Sequence, residues 1–378
     1  MLQIVADENM PALDALFGPY AEIHTYPGRE IGPEQVKDAD ILLVRSVTKV
    51  DRALLEAASK LKFVGTATIG FDHLDIDALN ERGIRWSNAP GCNAEAVGEY
   101  VITALLTLAE RESVALTGKT LGIIGAGNTG SAVAKRAGAL GLKVLLCDPP
   151  LAEAGDERDF VELDALLAQA DLVSCHVPLT QSGAHPTWYL LDESRLSSLK
   201  PDTWLVNACR GEVIDNRALI EVKRQRPDLK LILDVWEGEP NPITELVELT
   251  EIATPHIAGY SVEAKLRGNW LLLAQLKLEL GIDQLPAFAQ FVPASELATL
   301  IIDDGALSGE QWQRLAARVA RLVYDIDAED RRFRNWHTQE GGFDKQRKAH
   351  LNRREFLSLA IASEQRQWQS LGFESKRV

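Results

Sequence analysis

Cysteine is scarce in this chain. The 378 residues hold four, Cys92, Cys147, Cys175 and Cys209. They lie far apart with no CxxC pair, which argues against a disulfide framework and a cysteine zinc site; they read as reduced thiols of a cytoplasmic protein. Also missing is a basic segment followed by a long apolar stretch near the start, where residues 2–6 already read as a strand, so no signal peptide is expected. No apolar run approaches the roughly 20 residues of a membrane span. The seven histidines form no i,i+4 pair beside a carboxylate, and no metal site is suggested. Positive charge is in deficit, 40 Lys+Arg against 55 Asp+Glu for a net −15. Nucleic acid and anionic membranes are therefore poor partners. An anionic substrate would need a local cluster of cations working against that field.

What is present is a regular alternation. Apolar runs at 41–44, 63–64, 121–124, 144–146, 172–173, 205–206 and 231–233 alternate with helical patterns. Such near-continuous runs predict parallel strands covered on both faces, an α/β fold of doubly wound sheets. A long helix is expected over 93–112, capped by Asn93, with Val97, Val101, Ala104, Leu105 and Leu108 on one face. A second is expected over about 262–280. As crossings, the two would bound an inserted lobe, 97–258, within a lobe built from 1–96 and 259–285. Beyond Gly281, Pro286 and Pro293 punctuate a linker, and 286–378 reads as a smaller third domain. There Ser308 caps a helix whose stripe, Trp312, Leu315, Ala316, Val319, Leu322 and Val323, reads as core, with burial at a subunit interface as its expected use.

Gly125-Ala126-Gly127-Asn128-Thr129-Gly130 is a GxGxxG, a weak signal by itself. Here it follows a strand, opens a helix, and is followed by a second strand that ends at Asp148. That spacing is the dinucleotide-binding arrangement: glycines for the turn and for pyrophosphate approach, an acid for the ribose hydroxyls, and anion binding at a helix N-terminus. The acid disfavours a 2′-phosphate, so NAD is expected as cofactor.

Three later strands each end in a polar cluster: Asn207-Ala208-Cys209-Arg210-Gly211, Asp234-Val235-Trp236-Glu237-Gly238-Glu239-Pro240, and Thr254-Pro255-His256-Ile257-Ala258-Gly259-Tyr260. Strand ends are where a doubly wound sheet collects its ligands. An arginine fork suits a substrate carboxylate. A histidine can take a hydroxyl proton, and a carboxylate can fix the tautomer of that imidazole. Arg210, His256 and Glu239 are thus the candidate set for oxidising a 2-hydroxy acid.

With its GxGxxG, NxxRGxxxD, DVWEGEP and PHIAG segments, the chain over 1 to about 285 resembles the D-isomer-specific 2-hydroxyacid dehydrogenases. The resemblance implies a Rossmann NAD-binding lobe inserted in a flavodoxin-like substrate lobe, with Arg210, Glu239 and His256 as catalytic residues. It implies NAD contacts from Gly125, Gly127, Asn128, Thr129, Gly130, Asp148, Val177, Ala208, Cys209, Asp234 and Gly259, with Asp234 near the nicotinamide carboxamide. It places substrate contacts at Ser46, Thr68 and Tyr260. The opening Val5-Ala6-Asp7-Glu8-Asn9-Met10-Pro11 and the tail narrow it to members with a C-terminal dimerisation domain of α+β type. Those oxidise a phosphorylated 2-hydroxy acid, 4-phospho-D-erythronate, in pyridoxal 5′-phosphate biosynthesis, as homodimers. D-3-phosphoglycerate or D-glycerate oxidation, or a non-catalytic NAD-sensing role, are the alternatives. Arg45 and Lys49 supply positive charge where a phosphate would lie. The tail cations Lys345, Arg347 and Lys348 read more simply as a solvated helix face than as phosphate ligands.

Overall fold

Apolar runs with no polar side must be covered on both faces, and the strands they form here pair in parallel throughout. The computed structural model describes residues 1–303, 305, 307–350 and 353–376. It divides into two compact units, Met1–Asn93 with Val262–Pro293, and Ala94–Ser261 with Ala294–Val378.

The first unit holds β1 (Leu2–Asp7), β2 (Ala21–Tyr26), β3 (Ile41–Val44), β4 (Phe63–Thr66) and β5 (Arg85–Ser87), in the order β2-β1-β3-β4-β5. The expected second long helix is shorter than its pattern, Val262–Gln275. Its Leu272 and Leu273 pack with Phe63 in the core on one face of this sheet.

The second unit is built on β6 (Thr120–Ile124), β7 (Lys143–Cys147), β8 (Leu172–Cys175), β9 (Trp204–Asn207), β10 (Lys230–Leu233) and β11 (Ile252–Ala253). Their order is β11-β10-β9-β8-β6-β7. Strand order reverses beside β6, the switch point at which such sheets open a crevice at their C-terminal ends. The long helix Ala94–Glu112 is buried over most of its length and packs on Asn128–Ala137. Asn93 does not cap it: its Oδ1 is buried without a hydrogen-bond partner among the described residues.

The tail adds a parallel three-stranded sheet, β12 (Thr299–Ile301), β13 (Ala360–Ala362) and β14 (Glu374–Lys376). Its helix Gly309–Val323 opens with the expected cap, a reciprocal box in which Ser308 Oγ accepts from Gln311 N and Gln311 Oε1 from Ser308 N. Trp312, Ala316 and Val319 join the core under the long helix, and Trp312 Nε1 donates to the Ala139 carbonyl at 2.9 Å. Full burial of a side chain of valine size or larger is worth roughly 1.5–3 kcal/mol. These three are therefore spent within the chain and are not available to a second subunit, whereas Leu322 stays exposed.

Candidate active site

Because β9, β10 and β11 are adjacent and parallel, the segments that follow them leave the same sheet edge side by side. The turn after Arg210 is pressed onto the turn after Asp234, since a Cβ at Gly211 would collide with the Trp236 carbonyl. Arg210 itself is fixed through its backbone, whose carbonyl accepts from Asn207 Nδ2 at 2.8 Å.

The third segment carries an unusual backbone. His256 has φ +58, a left-handed conformation that few non-glycine residues adopt. Its neighbours hold it there. His256 N donates to the Asp234 carbonyl at 2.6 Å. The Asp234 carboxylate accepts from the amides of Ile257 and Ala258, both at 2.8 Å, and from the Thr254 hydroxyl at 2.6 Å. With its proton given to Asp234, Thr254 Oγ1 accepts from the buried Tyr100 hydroxyl, also at 2.6 Å.

His256 Nδ1 lies 2.7 Å from Glu239 Oε2, and Glu239 Oε1 accepts from Trp236 N at 3.0 Å. Burial pushes the Glu239 carboxyl up, but the adjoining His256, the Trp236 amide and Arg347 together hold it below its ordinary range. An ionised Glu239 makes Nδ1 the donor and leaves Nε2 as the ring's proton acceptor. Trp236 is buried, with Nε1 on the Thr254 carbonyl and its ring against Phe333; it packs.

The glycine cradle tests whether a dinucleotide fits. Gly125 has φ +90, and a Cβ there would meet the His176 carbonyl at 2.6 Å; a Cβ at Gly130 would strike the Gly125 carbonyl. Nothing lies within 4 Å of a Cβ at Gly127, so the backbone there is open to a pyrophosphate at the N-terminus of helix Asn128–Ala137. Asp148 Oδ2 accepts from Ala126 N at 2.7 Å and Oδ1 caps the next helix from Leu151 N at 3.1 Å, which holds the acid beside the cradle. The donor set suits NAD. Val177 and Cys209 flank this edge; burial pushes the Cys209 thiol up to about 11, so it is no nucleophile. Burial likewise takes His176 down to about 3, leaving it neutral.

Two family models match the chain. One, described as the NAD-binding domain of D-isomer-specific 2-hydroxyacid dehydrogenases, covers 104–258; the other, a domain of unknown function (DUF3410), covers 292–372. An erythronate-4-phosphate dehydrogenase of Shewanella sp. (strain MR-4) is 55% identical over 361 residues, covering 96% of this chain and 95% of that one. That of Shewanella halifaxensis is 53% identical over the same shares. The NAD⁺-bound crystal structure of 3-phosphoglycerate dehydrogenase from Entamoeba histolytica is 26% identical, with a TM-score of 0.64 over 76% of this chain and 98% of that one. The chain belongs to the erythronate-4-phosphate dehydrogenase family. It is an NAD-dependent dehydrogenase.

The family's two further expected substrate contacts lie in the first unit, just past the ends of adjacent strands. Ser46 is exposed beyond β3. Thr68, beyond β4, donates to the Gly70 carbonyl at 2.8 Å and meets Thr66 Oγ1 at 2.7 Å. Of the cations there, Lys49 is exposed, and Arg45 Nε donates to buried Asp7 at 3.0 Å.

The sequence reading preferred a solvated face for Arg347 over a phosphate contact and gave no role to Arg353 or Glu355, the other tail residues that meet the loop 256–261. Arg353 donates to the Ala258 carbonyl at 2.9 Å, Ser261 Oγ donates to Glu355 at 3.0 Å, and Arg347 Nη2 donates to the Tyr260 hydroxyl at 2.7 Å. For Arg347 the solvated-face reading is overturned. Lys345 and Lys348 are exposed, but the Arg347 side chain is 17% exposed and turned inward. A second missed residue is Arg158, whose guanidinium reaches the Ala126 carbonyl and Ser131 of the cradle at 3.0 and 2.9 Å.

Proposed function

We propose that this chain oxidises C2 of 4-phospho-D-erythronate to (3R)-3-hydroxy-2-oxo-4-phosphooxybutanoate, a step in the formation of pyridoxal 5′-phosphate. The observation that carries the reading is the 2.7 Å Glu239–His256 pair on the strand edge that also bears Arg210. NAD, when bound, accepts the hydride that leaves C2. His256 Nε2 takes the hydroxyl proton, so that the alcohol becomes a carbonyl without a free alkoxide. Glu239 keeps Nδ1 protonated and offsets the charge of the imidazolium as it forms. Arg210 holds the substrate carboxylate and polarises the C2 oxygen.

Gly125, Gly127, Asn128, Thr129 and Gly130 would cradle the pyrophosphate, Asp148 the adenosine ribose, and Val177, Ala208, Cys209, Asp234 and Gly259 the nicotinamide half. Ser46 and Thr68 would meet the substrate's hydroxyl and carboxylate oxygens, with Tyr260 as a third substrate contact. In this reading 1–96 with 259–285 is the substrate lobe, 97–258 the NAD lobe and 286–378 the dimerisation domain. Exposed Leu322 and Leu357 on the tail support a homodimer, and four buried free thiols suit the cytoplasm.

The test is NADH formation from 4-phospho-D-erythronate beside D-3-phosphoglycerate and D-glycerate, with a single early turnover counted. Selective turnover of phosphoerythronate, lost in His256→Ala, is expected. Preference for phosphoglycerate would move the substrate, and NAD binding without oxidation of any hydroxy acid would sink the catalytic reading.

A further inference from the structure

A chain of net charge −15 has to concentrate cations wherever it binds a substrate with two anionic groups. Within the second unit Arg210 is the fork assigned to a carboxylate, and two more guanidiniums stand by the loop 256–261: Arg353, engaged by the Ala258 carbonyl and the Tyr324 ring, and Arg347. Arg347 comes from the tail helix Gly342–Ala349. Its Nη2 donates to the hydroxyl of Tyr260, four residues past His256, and its guanidinium lies 5.4 Å from the Tyr260 ring centre and 5.8 Å from that of Phe343.

Its countercharges are thin. Asp344 lies at 3.9 Å, longer than a hydrogen bond, and Glu239 is already bound to His256 and Trp236. Arg347 Nε is buried with no acceptor among the described residues. A buried N–H without a partner is costly, a cost that an acceptor oxygen relieves. Arg347 nevertheless remains charged: burial works against its proton, and Tyr260 and Glu239 more than offset that.

We propose that Arg347, carried to the catalytic loop by the tail, binds the phosphate of the substrate together with the Tyr260 hydroxyl. The tail is then part of the active site as well as a packing element. Phosphate suits this pair because it can take a planar fork on two oxygens and a phenol on a third. The proposal rests on the phosphorylated-substrate reading above.

The experiment compares the full-length wild type, Arg347→Gln and Arg347→Lys on 4-phospho-D-erythronate and D-erythronate, and measures inhibition by inorganic phosphate. A tenfold or larger rise in KM for the phosphorylated substrate and weaker phosphate inhibition are expected for Arg347→Gln, with a much smaller change in kinetics on D-erythronate. Arg347→Lys should recover part of the loss. An equal loss on both substrates would assign Arg347 to the carboxylate or to the packing of the loop and overturn the proposal, as would an unchanged KM. If Arg347→Gln does not fold, the rise in unfolding midpoint that phosphate gives wild type, set against that in Arg347→Lys, decides. If the wild type prefers D-3-phosphoglycerate, the same comparison against D-glycerate tests Arg347 while the substrate reading fails separately.

Discussion

Asp234 brackets His256: its carbonyl accepts the His256 amide at 2.6 Å, and its carboxylate accepts the next two amides at 2.8 Å. A left-handed histidine is stable only where its surroundings over-determine it, and Asp234 supplies most of that constraint. Asp234→Ala would leave two amides and the Thr254 hydroxyl buried without an acceptor. The expected loss is about 3–5 kcal/mol of stability, read from urea unfolding, with turnover per folded molecule falling as His256 relaxes. An unfolding midpoint equal to that of wild type would refute this account.

Glu239→Gln keeps the size of the side chain and removes its charge. Turnover should fall by roughly 10²- to 10⁴-fold, with NAD affinity unchanged by titration. Since the folded carboxyl lies below its ordinary value of 4.5, its stabilising pairing is fully present above that value. It is lost as pH falls through the lower folded pKa. Acid unfolding of wild type should therefore be steeper than that of the variant.

Gly127 and Gly130 are expected to separate folding from cofactor binding. Gly127 has φ −67 and open space around its Cβ position. Gly127→Ala should be as stable as wild type or up to about 1 kcal/mol more so, while NAD binding weakens because the methyl stands where the pyrophosphate approaches. Gly130→Ala has to move the Gly125 carbonyl, so both stability and affinity should drop. Calorimetry with and without NAD distinguishes the two.

Glu99 is the buried carboxyl to watch with pH. Burial pushes it up to about 8, against the pull of Arg136, whose Nη2 lies 3.3 Å from Oε1. A carboxyl with a raised folded pKa contributes stability that is complete below its unfolded value, declines as pH climbs, and is gone once pH passes the folded value. Wild type should therefore lose stability between about pH 5 and 8, and Glu99→Gln should flatten that slope. Equal slopes in the two proteins would place the titration elsewhere.

Much of this was legible in the sequence because it is local. Residues 121–124, the glycines after them and Asp148 follow one another within a single β-α-β unit, so spacing reports them. The segments ending in Arg210, Glu239 and His256 show themselves as polar clusters closing apolar strands. The tail's part in the site was not legible. Arg347 meets Tyr260, and Arg353 meets Ala258, across 87 and 95 residues, and no local periodicity reports a contact at that range. A run of Lys345, Arg347 and Lys348 looks like a solvated face until the neighbouring element is known. The Asn93 cap failed for a related reason: residue preference offers a cap, and packing decides whether the oxygen is used.

The grip of Arg353 and Glu355 on Ala258 and Ser261, together with the seating of Trp312 under the long helix, has a practical consequence. A shortened dehydrogenase cannot be made by cutting at Pro293. The cut would bare an apolar seam along Ala94–Glu112 and release the loop that carries His256, giving a sticky chain with a slack 256–261 loop. A chimaera built to change substrate preference would have to move residues 254–261 and the tail as one cassette.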